Sequence, residues 1–282
     1  MANKYGIPIL KVESGNLPSA WEKAVLLAWE KGEDIKTEYD KPNDPRSKDC
    51  TMIIVVKFPM KEPRIHRAFP GGLEDLEVYR QEVVLGIHDH WINPEEGKWT
   101  YTYHKRLFDY ETEDIRTNQM DLIIDKLSKA PHSRRAQAIT WNVKLDSETD
   151  DPPCLQRLWF RISTLPGPGG KKVLNMNSHW RSRDAFKASF MNMFALTDLQ
   201  KTIAEEISRR QGEKIGVGRY VDISDSFHIY GSYHEDFKKF LQTVKSRSFS
   251  DRTWHTKFAE PFFEDARKKI ALEKESELKQ KC

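Results

Sequence analysis

The sequence predicts an α+β fold. Some segments carry apolar residues at helical spacing, and others are short runs of β-branched and aromatic residues bounded by turn-forming residues. The two kinds of segment do not alternate strictly, as they would in a doubly wound parallel sheet. No Gly/Ser-rich or Pro-rich linker divides the 282 residues, so we expect a single domain over residues 1–282.

The first half of the chain predicts three helices and two strands. Trp21, Val25 and Ala28 lie on one side of a helix over Ser19–Lys31, which Gly32 is placed to end. The segment Thr51–Phe58 is rich in β-branched residues, as is typical of a buried strand. The remaining predictions for this half are helices over Leu73–Ile87 and Met120–Leu127 and a strand over Ala136–Val143.

The second half of the chain predicts a strand pair and a long helix. Leu155–Ile162 and Val173–Trp180 flank the Pro/Gly-rich segment 166–170 and should pair across that turn. Apolar residues from Met193 to Ile207 predict a helix that ends near Gln211-Gly212. The remaining predictions are a strand over Val217–Ile223, a helix around Phe237, Phe240 and Leu241, and a charged terminal helix or tail over residues 267–282.

The composition favours a soluble, cytoplasmic protein. The formal net charge is +3, from 46 basic and 43 acidic residues, which gives no general case for nucleic-acid binding. Cys50, Cys154 and Cys282 are too few and too widely separated for a disulfide framework, so we expect a reducing compartment. Residues 1–17 lack the apolar core of a signal peptide, and no stretch approaches the roughly 18 apolar residues of a membrane span.

Cys154 is the strongest candidate for a reactive group. It follows Pro152 and Pro153, which hold the chain extended, and it precedes a predicted strand. Arginine-bearing segments lie upstream at 133–135 and downstream at 181–183, and a nearby cation would lower the pKa of the thiol. The alternative is a small buried thiol that fills core space. The neighbouring arginines favour a nucleophile beside an anion site.

The residues that could carry chemistry occur in a definite order. They are Glu82 on a predicted helix, Tyr103 before a Lys/Arg-rich segment expected to form a strand, Arg134-Arg135 ahead of Trp141-Asn142, Cys154 after its prolines, Arg181-Ser182-Arg183-Asp184, Asn192 on the next helix, and His228-Ile229-Tyr230. This order, over about half of the chain, resembles the thymidylate synthase family. The resemblance implies a large mixed sheet flanked by helices, with the sheets of two subunits packed back to back in a homodimer.

The resemblance also implies folate-dependent one-carbon transfer to carbon 5 of a pyrimidine nucleotide, with 5,10-methylenetetrahydrofolate as co-substrate and no metal. Carbon 5 is a poor nucleophile until the Cys154 thiolate adds to carbon 6. Tyr103 is the implied proton-transfer group, acting with an ordered water. Glu82 would organise that water and relay protons to the pyrimidine carbonyl, helped by an apolar helix face that raises its pKa. Without the resemblance, Glu82 is most simply an exposed helix carboxylate.

The implied phosphate site takes residues from two subunits. Arg181 and Ser182 of one subunit and Arg134 and Arg135 of the other would bind the 5′-phosphate, with Arg46 as a further phosphate arginine. A monomer could not complete such a site, which is why the resemblance implies a homodimer. Taken alone, a paired arginine is more often a surface feature.

The other implied contacts read the base, the sugar and the folate. Asn192 would select uracil over cytosine, because its amide both donates and accepts hydrogen bonds. His228 and Tyr230 would bond the sugar hydroxyl, although a histidine of this kind is ordinarily a satisfied core residue. Asp184 would hold the pterin ring of the folate, and Trp91 would contact the folate.

Four departures from the family pattern bear on the product. Leu155 follows the nucleophile where histidine is usual, and His88 stands where a tryptophan would shield the folate. Glu82 and Tyr103 are closer in sequence than usual, and Leu278–Cys282 is no apolar closing tail. Without a shielding tryptophan and an apolar closing tail, water can compete with hydride for the exocyclic methylene group of the intermediate. His88 could orient that water. We therefore expect a 5-hydroxymethyl product, with dUMP preferred to dCMP or CMP, and keep methylation to dTMP as the alternative.

Two further alternatives belong to other classes. A cysteine hydrolase would use Cys154 with His228, but it leaves the arginine clusters and Asn192 unused, and no Gly-rich oxyanion segment flanks the thiol. A nucleotide- or RNA-binding protein that had lost catalysis would use the same arginines. The intact Cys154, Glu82 and Tyr103 speak against it.

Overall fold

The computed structural model describes residues 6–280, with side chains to residue 276. Its strands are β1 (Ile9–Ser14), β2 (Glu33–Ile35), β3 (Ser47–Val56), β4 (Ile65–His66), β5 (Tyr110–Glu111), β6 (Arg116–Thr117), β7 (Gln137–Ile139), β8 (Leu155–Thr164), β9 (Lys172–Asp184), β10 (Gly216–Ile229) and β11 (Thr253–Trp254). Its α-helices are α1 (Leu17–Lys31), α2 (Leu73–Leu85), α3 (Tyr103–Phe108), α4 (Gln119–Lys129), α5 (Val143–Asp146), α6 (Ser189–Gln211), α7 (His234–Ser246) and α8 (Thr256–Gln280). No helix in this range is long and apolar enough to cross a membrane.

A mixed sheet forms the centre of the fold. Its strand order is β1-β3-β10-β9-β8-β7, and β2 pairs with β3. The pairs β1/β3 and β10/β9 are parallel, whereas β10/β3, β8/β9 and β7/β8 are antiparallel. The predicted α+β class and large mixed sheet are therefore confirmed.

Helices cover one face of this sheet. Helix α1 packs on β1 and β3, α6 packs on β9 and β10, and α2 packs against both α6 and α8. On β8 the side chains of Leu158 and Phe160 are buried, while those of Arg157 and Arg161 are exposed. Because alternate side chains of a strand point to opposite faces, the second face of the sheet at β8 lies at the surface of the chain.

Elements with strong local signals agree with the sequence predictions. β8 and β9 pair antiparallel across the Pro/Gly-rich turn. Helix α6 ends at Gln211, and Gly212 follows at φ +67°, a left-handed conformation that favours glycine after a helix. Other elements differ in extent: β3 begins four residues before the predicted Thr51, and β10 continues to Ile229 beyond the predicted Ile223.

Two predictions were wrong in kind, and the terminal helix begins earlier than predicted. The predicted strand over Ala136–Val143 is confined to β7, because the Asn142 side chain accepts hydrogen bonds from the backbone of Lys144 and Leu145 and starts helix α5 instead. Tyr103 opens helix α3, capped by Thr102, rather than preceding a strand. The charged segment 267–282 is the continuation of a helix that begins at Thr256, and positions 281 and 282 lie outside the described residues.

Glu22 joins three segments that are distant in sequence. Its carboxylate accepts hydrogen bonds from Nε and Nη2 of Arg252 at 2.7 and 2.8 Å and lies 2.9 Å from Nε2 of His66. Burial alone would raise the pKa of Glu22, but the hydrogen bonds from His66 and Arg252 outweigh it and lower the pKa to about 2. The ionised carboxylate thus ties α1 to β4 and to the start of β11.

We predict that Glu22→Gln lowers the free energy of unfolding by about 3–5 kcal/mol at pH 7, because it leaves Arg252 buried without its counter-charge. The pKa of Glu22 is lower in the folded than in the unfolded chain. The stabilisation by its carboxylate is therefore complete above the unfolded pKa and is lost as pH falls through the folded pKa. Wild-type protein should therefore lose more stability than Glu22→Gln as pH is lowered from about 5 to 3. Urea denaturation measures both effects.

Glu30→Gln is the matched control on the same helix. Glu30 is exposed and pairs only with Lys31 at the surface, so its replacement should change stability by less than about 0.5 kcal/mol. Equal effects of the two substitutions would contradict the role given to Glu22.

Candidate active site

Cys154 lies at the start of β8, and Arg181 fixes the segment that carries it. The backbone N–H of Arg181 donates to the carbonyl of Cys154 at 2.9 Å. The Arg181 guanidinium donates to the carbonyls of Pro153 at 3.2 Å and Pro152 at 2.6 Å. These bonds hold the Pro-Pro-Cys approach against β9, as the sequence prediction of a rigid strand entrance requires.

The pKa of the Cys154 thiol is raised rather than lowered. Burial raises this pKa most. The positive charges of Arg181 and Arg183 lower it, the negative charge of Asp151 raises it, and the two arginines do not compensate fully for burial. The nearby cations lower this pKa, as expected, but the desolvation of the half-buried thiol outweighs them. In the chain as it stands, Cys154 is predominantly a protonated thiol at neutral pH.

Tyr103 lies beside Cys154. Its hydroxyl oxygen accepts a hydrogen bond from the backbone N–H of Leu155 at 3.4 Å, one residue after Cys154. Its ring meets Trp180 edge-on, with centroids 5.7 Å apart. Burial, and then the neighbouring Cys154, raise the pKa of Tyr103 to about 12. The phenol thus keeps its proton next to the thiol.

Glu82 and His88 form a pair near this tyrosine. Nδ1 of His88 lies 3.2 Å from a carboxylate oxygen of Glu82. Burial, and then the negative charge of Asp89, raise the pKa of Glu82 to about 7, in agreement with the prediction from its apolar helix face. His88 is only 6% exposed, and its ring stacks on Trp91 with centroids 3.7 Å apart.

A cavity of about 440 Å³ lies beside Glu82 and Tyr103, and its lining also includes Trp99, Tyr101 and Asp151. Trp99 was missed in the sequence, although the aromatic residues at 99, 101 and 103 recur at every second position. Its ring lies edge-on to Trp91 at 5.4 Å. An aromatic wall therefore borders the cavity despite the histidine at position 88.

Asn192 is buried on α6, where it meets helix α2. Its Nδ2 donates a hydrogen bond to the hydroxyl oxygen of Tyr79, which lies one turn before Glu82 on α2. Sequence reasoning missed Tyr79, because its apolar helical spacing marked it only as a core residue. The contact fixes the amide of Asn192 from the side of α2.

The ends of β9 and β10 bring three further predicted residues together. His228 pairs with Asp184 in the sheet register, and the rings of His228 and Tyr230 meet edge-on at 4.5 Å. Burial lowers the pKa of His228 to about 4, so the ring is neutral. Asp184 accepts hydrogen bonds from the backbone N–H groups of Phe186 and Lys187 at 3.0 and 2.8 Å. Half-buried Ser182 lies two residues before Asp184.

Arg183 is a buried cation that sequence reasoning did not assign to the site. Its guanidinium forms an ion pair with Asp222 at 2.7 Å and lies 3.7 Å over the ring of Trp180. Both charged side chains are enclosed. Its positive charge acts on both Cys154 and Tyr103.

Three predicted arginines are not brought to Cys154 within the chain. Arg134 and Arg135 are exposed in the turn before β7, and Arg46 is exposed before β3, with Nη1 donating to the carbonyl of Asp34 at 3.4 Å. Within the described part of the chain, no group of three or more His, Cys, Asp and Glu side chains could hold a metal ion.

Comparison with known proteins identifies the family. The thymidylate synthase family model matches residues 72–272. The chain belongs to the thymidylate synthase family. Provisionally named thymidylate synthases among its relatives include one from Methanocaldococcus jannaschii, 30% identical over 236 residues that cover 82% of this chain and 95% of that protein. One from Methanopyrus kandleri is 33% identical over 203 residues, which cover 70% of this chain and 84% of that protein.

The fold agrees with this membership. The thermostable thymidylate synthase A from Bacillus subtilis superposes with a TM-score of 0.57 at 17% identity, over 80% of this chain and 84% of that one. Members of the thymidylate synthase family are one-carbon transferases that bind a nucleotide and use methylenetetrahydrofolate, so the chain is a transferase of that kind. The cysteine hydrolase alternative is set aside.

We predict that Arg181→Met slows alkylation of Cys154 by iodoacetamide at pH 8 by about threefold to tenfold, because a higher thiol pKa leaves less thiolate. The rate in the parent protein should rise up to and beyond pH 9, the ordinary thiol pKa. A Cys282→Ser background removes the terminal thiol, and Cys50 is fully buried with its pKa raised to about 12. Intact-protein mass spectrometry counts the modifications.

Arg157→Met is the control, since Arg157 is an exposed arginine on β8. It should leave the pH midpoint of alkylation unchanged. A midpoint that is the same in Arg181→Met and Arg157→Met would show that Arg181 does not act on the thiol through its charge.

Proposed function

We propose that this protein transfers a one-carbon group from 5,10-methylenetetrahydrofolate to carbon 5 of a pyrimidine nucleoside 5′-monophosphate, with dUMP as preferred substrate and a 5-hydroxymethyl nucleotide as product. The Glu82–His88 pair carries the proposal of this product. It places an ionisable carboxyl and an imidazole 3.2 Å apart beside the cavity that Tyr103 lines. Such a pair can orient and deprotonate a water molecule.

Cys154 starts the reaction by bonding to carbon 6 of the pyrimidine, which makes carbon 5 nucleophilic. Its thiol proton must leave as the sulfur adds. Glu82, with a pKa near 7, exchanges protons readily at neutral pH and relays one to the pyrimidine carbonyl. Tyr103 acts with an ordered water to remove the proton of carbon 5 after carbon 5 has bonded to the one-carbon unit. Folate then leaves as tetrahydrofolate.

Water completes the reaction by adding to the exocyclic methylene group, and the sulfur of Cys154 is released. His88 acts in this step through Glu82 rather than on the water directly, because its ring is enclosed against Trp91. No hydride is transferred, so the folate is not oxidised. Atoms balance with one water consumed for each hydroxymethyl group formed.

The nucleotide contacts follow from residues on β9, α6 and β10. Arg181 and Ser182 bind the 5′-phosphate from the Cys154 side of the site. Asn192, fixed by Tyr79, presents an amide that complements uracil, which is the basis for preferring dUMP to dCMP and CMP. His228 and Tyr230 bind the sugar hydroxyl.

The folate contacts are assigned to Trp91 and Asp184. The aromatic wall of Trp91 and Trp99 suits a flat pterin ring, and the carboxylate of Asp184 suits ring N–H donors. When bound, the co-substrate supplies the one-carbon unit. Trp91, Trp99 and Asp184 therefore fit the folate co-substrate.

Methylation to dTMP is the second candidate, and Trp99 is the observation that favours it. Trp99 lines the same cavity as Glu82 and Tyr103 and is 39% exposed at its edge. A tryptophan there can exclude water from the exocyclic methylene group and give hydride transfer from the folate time to occur. The product then is thymidylate and the folate leaves as dihydrofolate.

We predict that 5-fluoro-dUMP and methylenetetrahydrofolate form a stable ternary adduct on Cys154, detected by intact-protein mass spectrometry. Cys154→Ala should form none, whereas Cys282→Ser should form it fully. With dUMP, dCMP and CMP tested in parallel, dUMP should give the 5-hydroxymethyl nucleotide with no rise in dihydrofolate absorbance. Adduct formation by Cys154→Ala would refute the nucleophile. Thymidylate formed together with a stoichiometric amount of dihydrofolate would instead identify the reaction as methylation, the second candidate.

We further propose a homodimer in which the surface face of the sheet packs against its partner. Arg157 and Arg161 on β8, and Ile9 on β1, are exposed without a covering helix. Arg134 and Arg135 lie in the exposed turn before the edge strand β7, from which they can reach the phosphate of the partner's site. This arrangement accounts for arginines that do not meet Cys154 within their own chain.

Mixing Cys154→Ala with Arg135→Ala should restore about a quarter of wild-type activity after subunit exchange, because half of the dimers are then mixed and each carries one intact site. Mixing Cys154→Ala with Arg181→Ala is the control. Arg181 serves the same site as the Cys154 of its own chain, so no intact site forms. Full exchange, verified by native mass spectrometry, with no recovery in the first mixture would refute the shared site.

A further inference from the structure

Ser226 connects two buried polar side chains on neighbouring strands. Its hydroxyl lies 3.0 Å from each carboxylate oxygen of Asp49 on β3 and 3.2 Å from Nδ1 of His228 on β10. Asp49 is 3% exposed and His228 is 5% exposed. The pairing of β10 with β3 shifts register between Ser224 and Phe227, and Ser226 lies within this irregularity.

The protons available to these three side chains fix the tautomer of His228. An ionised carboxylate only accepts hydrogen bonds, so the single proton of the Ser226 hydroxyl points to Asp49. The hydroxyl oxygen then accepts from His228, and a hydrogen bond between the ring and the backbone of Ser226 acts in the same direction, so a proton lies on Nδ1. Because burial keeps the ring neutral, Nε2 carries a lone pair and no proton.

This count takes Asp49 as an ionised carboxylate. Burial raises the pKa of Asp49 and outweighs the hydrogen bonds from Ser226 and from the backbone of Cys50, which favour the ionised form. In the opposite state, a protonated Asp49 would donate to Ser226 and put the proton of His228 on Nε2. The two states therefore predict opposite tautomers, and the tautomer is measurable.

Nε2 of His228 is enclosed and has no hydrogen-bond partner among the described residues. Buried polar atoms are nearly always paired in folded proteins, so an acceptor of this kind points to a ligand that donates. Tyr230 lies edge-on to the same ring at the end of β10. A sugar hydroxyl of the proposed nucleotide is such a donor.

We propose that Asp49 and Ser226 are positioning residues that hold His228 as its Nδ1–H tautomer, so that Nε2 accepts the hydrogen bond of the 3′-hydroxyl of the nucleotide. The identity of the ligand rests on the proposed function. The tautomer is a property of the ligand-free chain.

The tautomer is tested by the ¹⁵N chemical shifts of histidine-labelled, ligand-free protein, with the His228 signals assigned by their loss in His228→Gln. Wild type should show a protonated Nδ1 and an unprotonated Nε2. Ser226→Ala and Asp49→Asn should move the proton wholly or partly to Nε2, and Ser226→Thr should restore the wild-type pattern. Ser224→Ala is the matched control, since Ser224 lies on the same strand but bonds to Asp222. A protonated Nε2 in wild type, or shifts unchanged in Ser226→Ala, would overturn the proposal.

The ligand is tested by calorimetric binding of dUMP and its 2′,3′-dideoxy analogue. Wild type and Ser224→Ala should prefer dUMP by about threefold to tenfold, the effect of one neutral hydrogen bond. Ser226→Ala should bind the two nucleotides with about equal affinity, mainly because its affinity for dUMP is lower than that of wild type. Equal preferences in wild type and Ser226→Ala would overturn the role of Nε2. Failure of wild type to bind either nucleotide would refute the proposed function, and the nitrogen shifts would still decide the tautomer.

Discussion

The position of Cys154 depends on the bonds that Arg181 makes to the segment before it. Prolines offer carbonyl groups but no N–H groups, so Pro152 and Pro153 cannot be held by ordinary strand pairing on both sides. Arg181 on β9 donates instead to the carbonyls of both prolines, and its backbone N–H donates to the carbonyl of Cys154. The thiol is thereby fixed by the same strand that continues to Ser182, Arg183 and Asp184. Any ligand that contacts this strand is registered against the thiol at the same time.

Burial sets the resting protonation of the site. It raises the pKa of Cys154, of Tyr103 to about 12 and of Glu82 to about 7, while it lowers that of His228 to about 4. All four groups are thus shifted toward their neutral forms, as expected when charges lose solvation. Among these four groups Glu82 has the pKa closest to neutrality, so it is the one suited to exchanging protons as the chemistry proceeds. The buried Arg183–Asp222 pair keeps fixed charges behind the thiol without changing the net charge.

Local signals predicted the fold better than they predicted the contacts of the site. The β8–β9 pair and the end of α6 follow from turn residues and periodicity within short segments, and the order of chemistry-bearing residues indicated the family. The contacts Asn192–Tyr79, Arg183–Asp222 and Asp49–Ser226 depend on which helix faces meet and on strand register, which a single sequence does not encode locally. The net shift of the Cys154 pKa was not predictable for a related reason: the sequence shows the nearby cations that lower this pKa, but the burial that raises it arises only from packing.

The aromatic groups at the cavity show why sequence position alone does not decide the product. Position 88 lacks a tryptophan, yet Trp99 enters the cavity from a later segment and meets Trp91 edge-on. His88 stacks behind Trp91 and reaches the site through Glu82. Trp99 and Glu82 line one cavity, and His88 bonds to Glu82. In the proposed reaction these residues compete: water oriented by the Glu82–His88 pair gives the hydroxymethyl product, whereas exclusion of water by Trp99 leaves the methylene group to hydride.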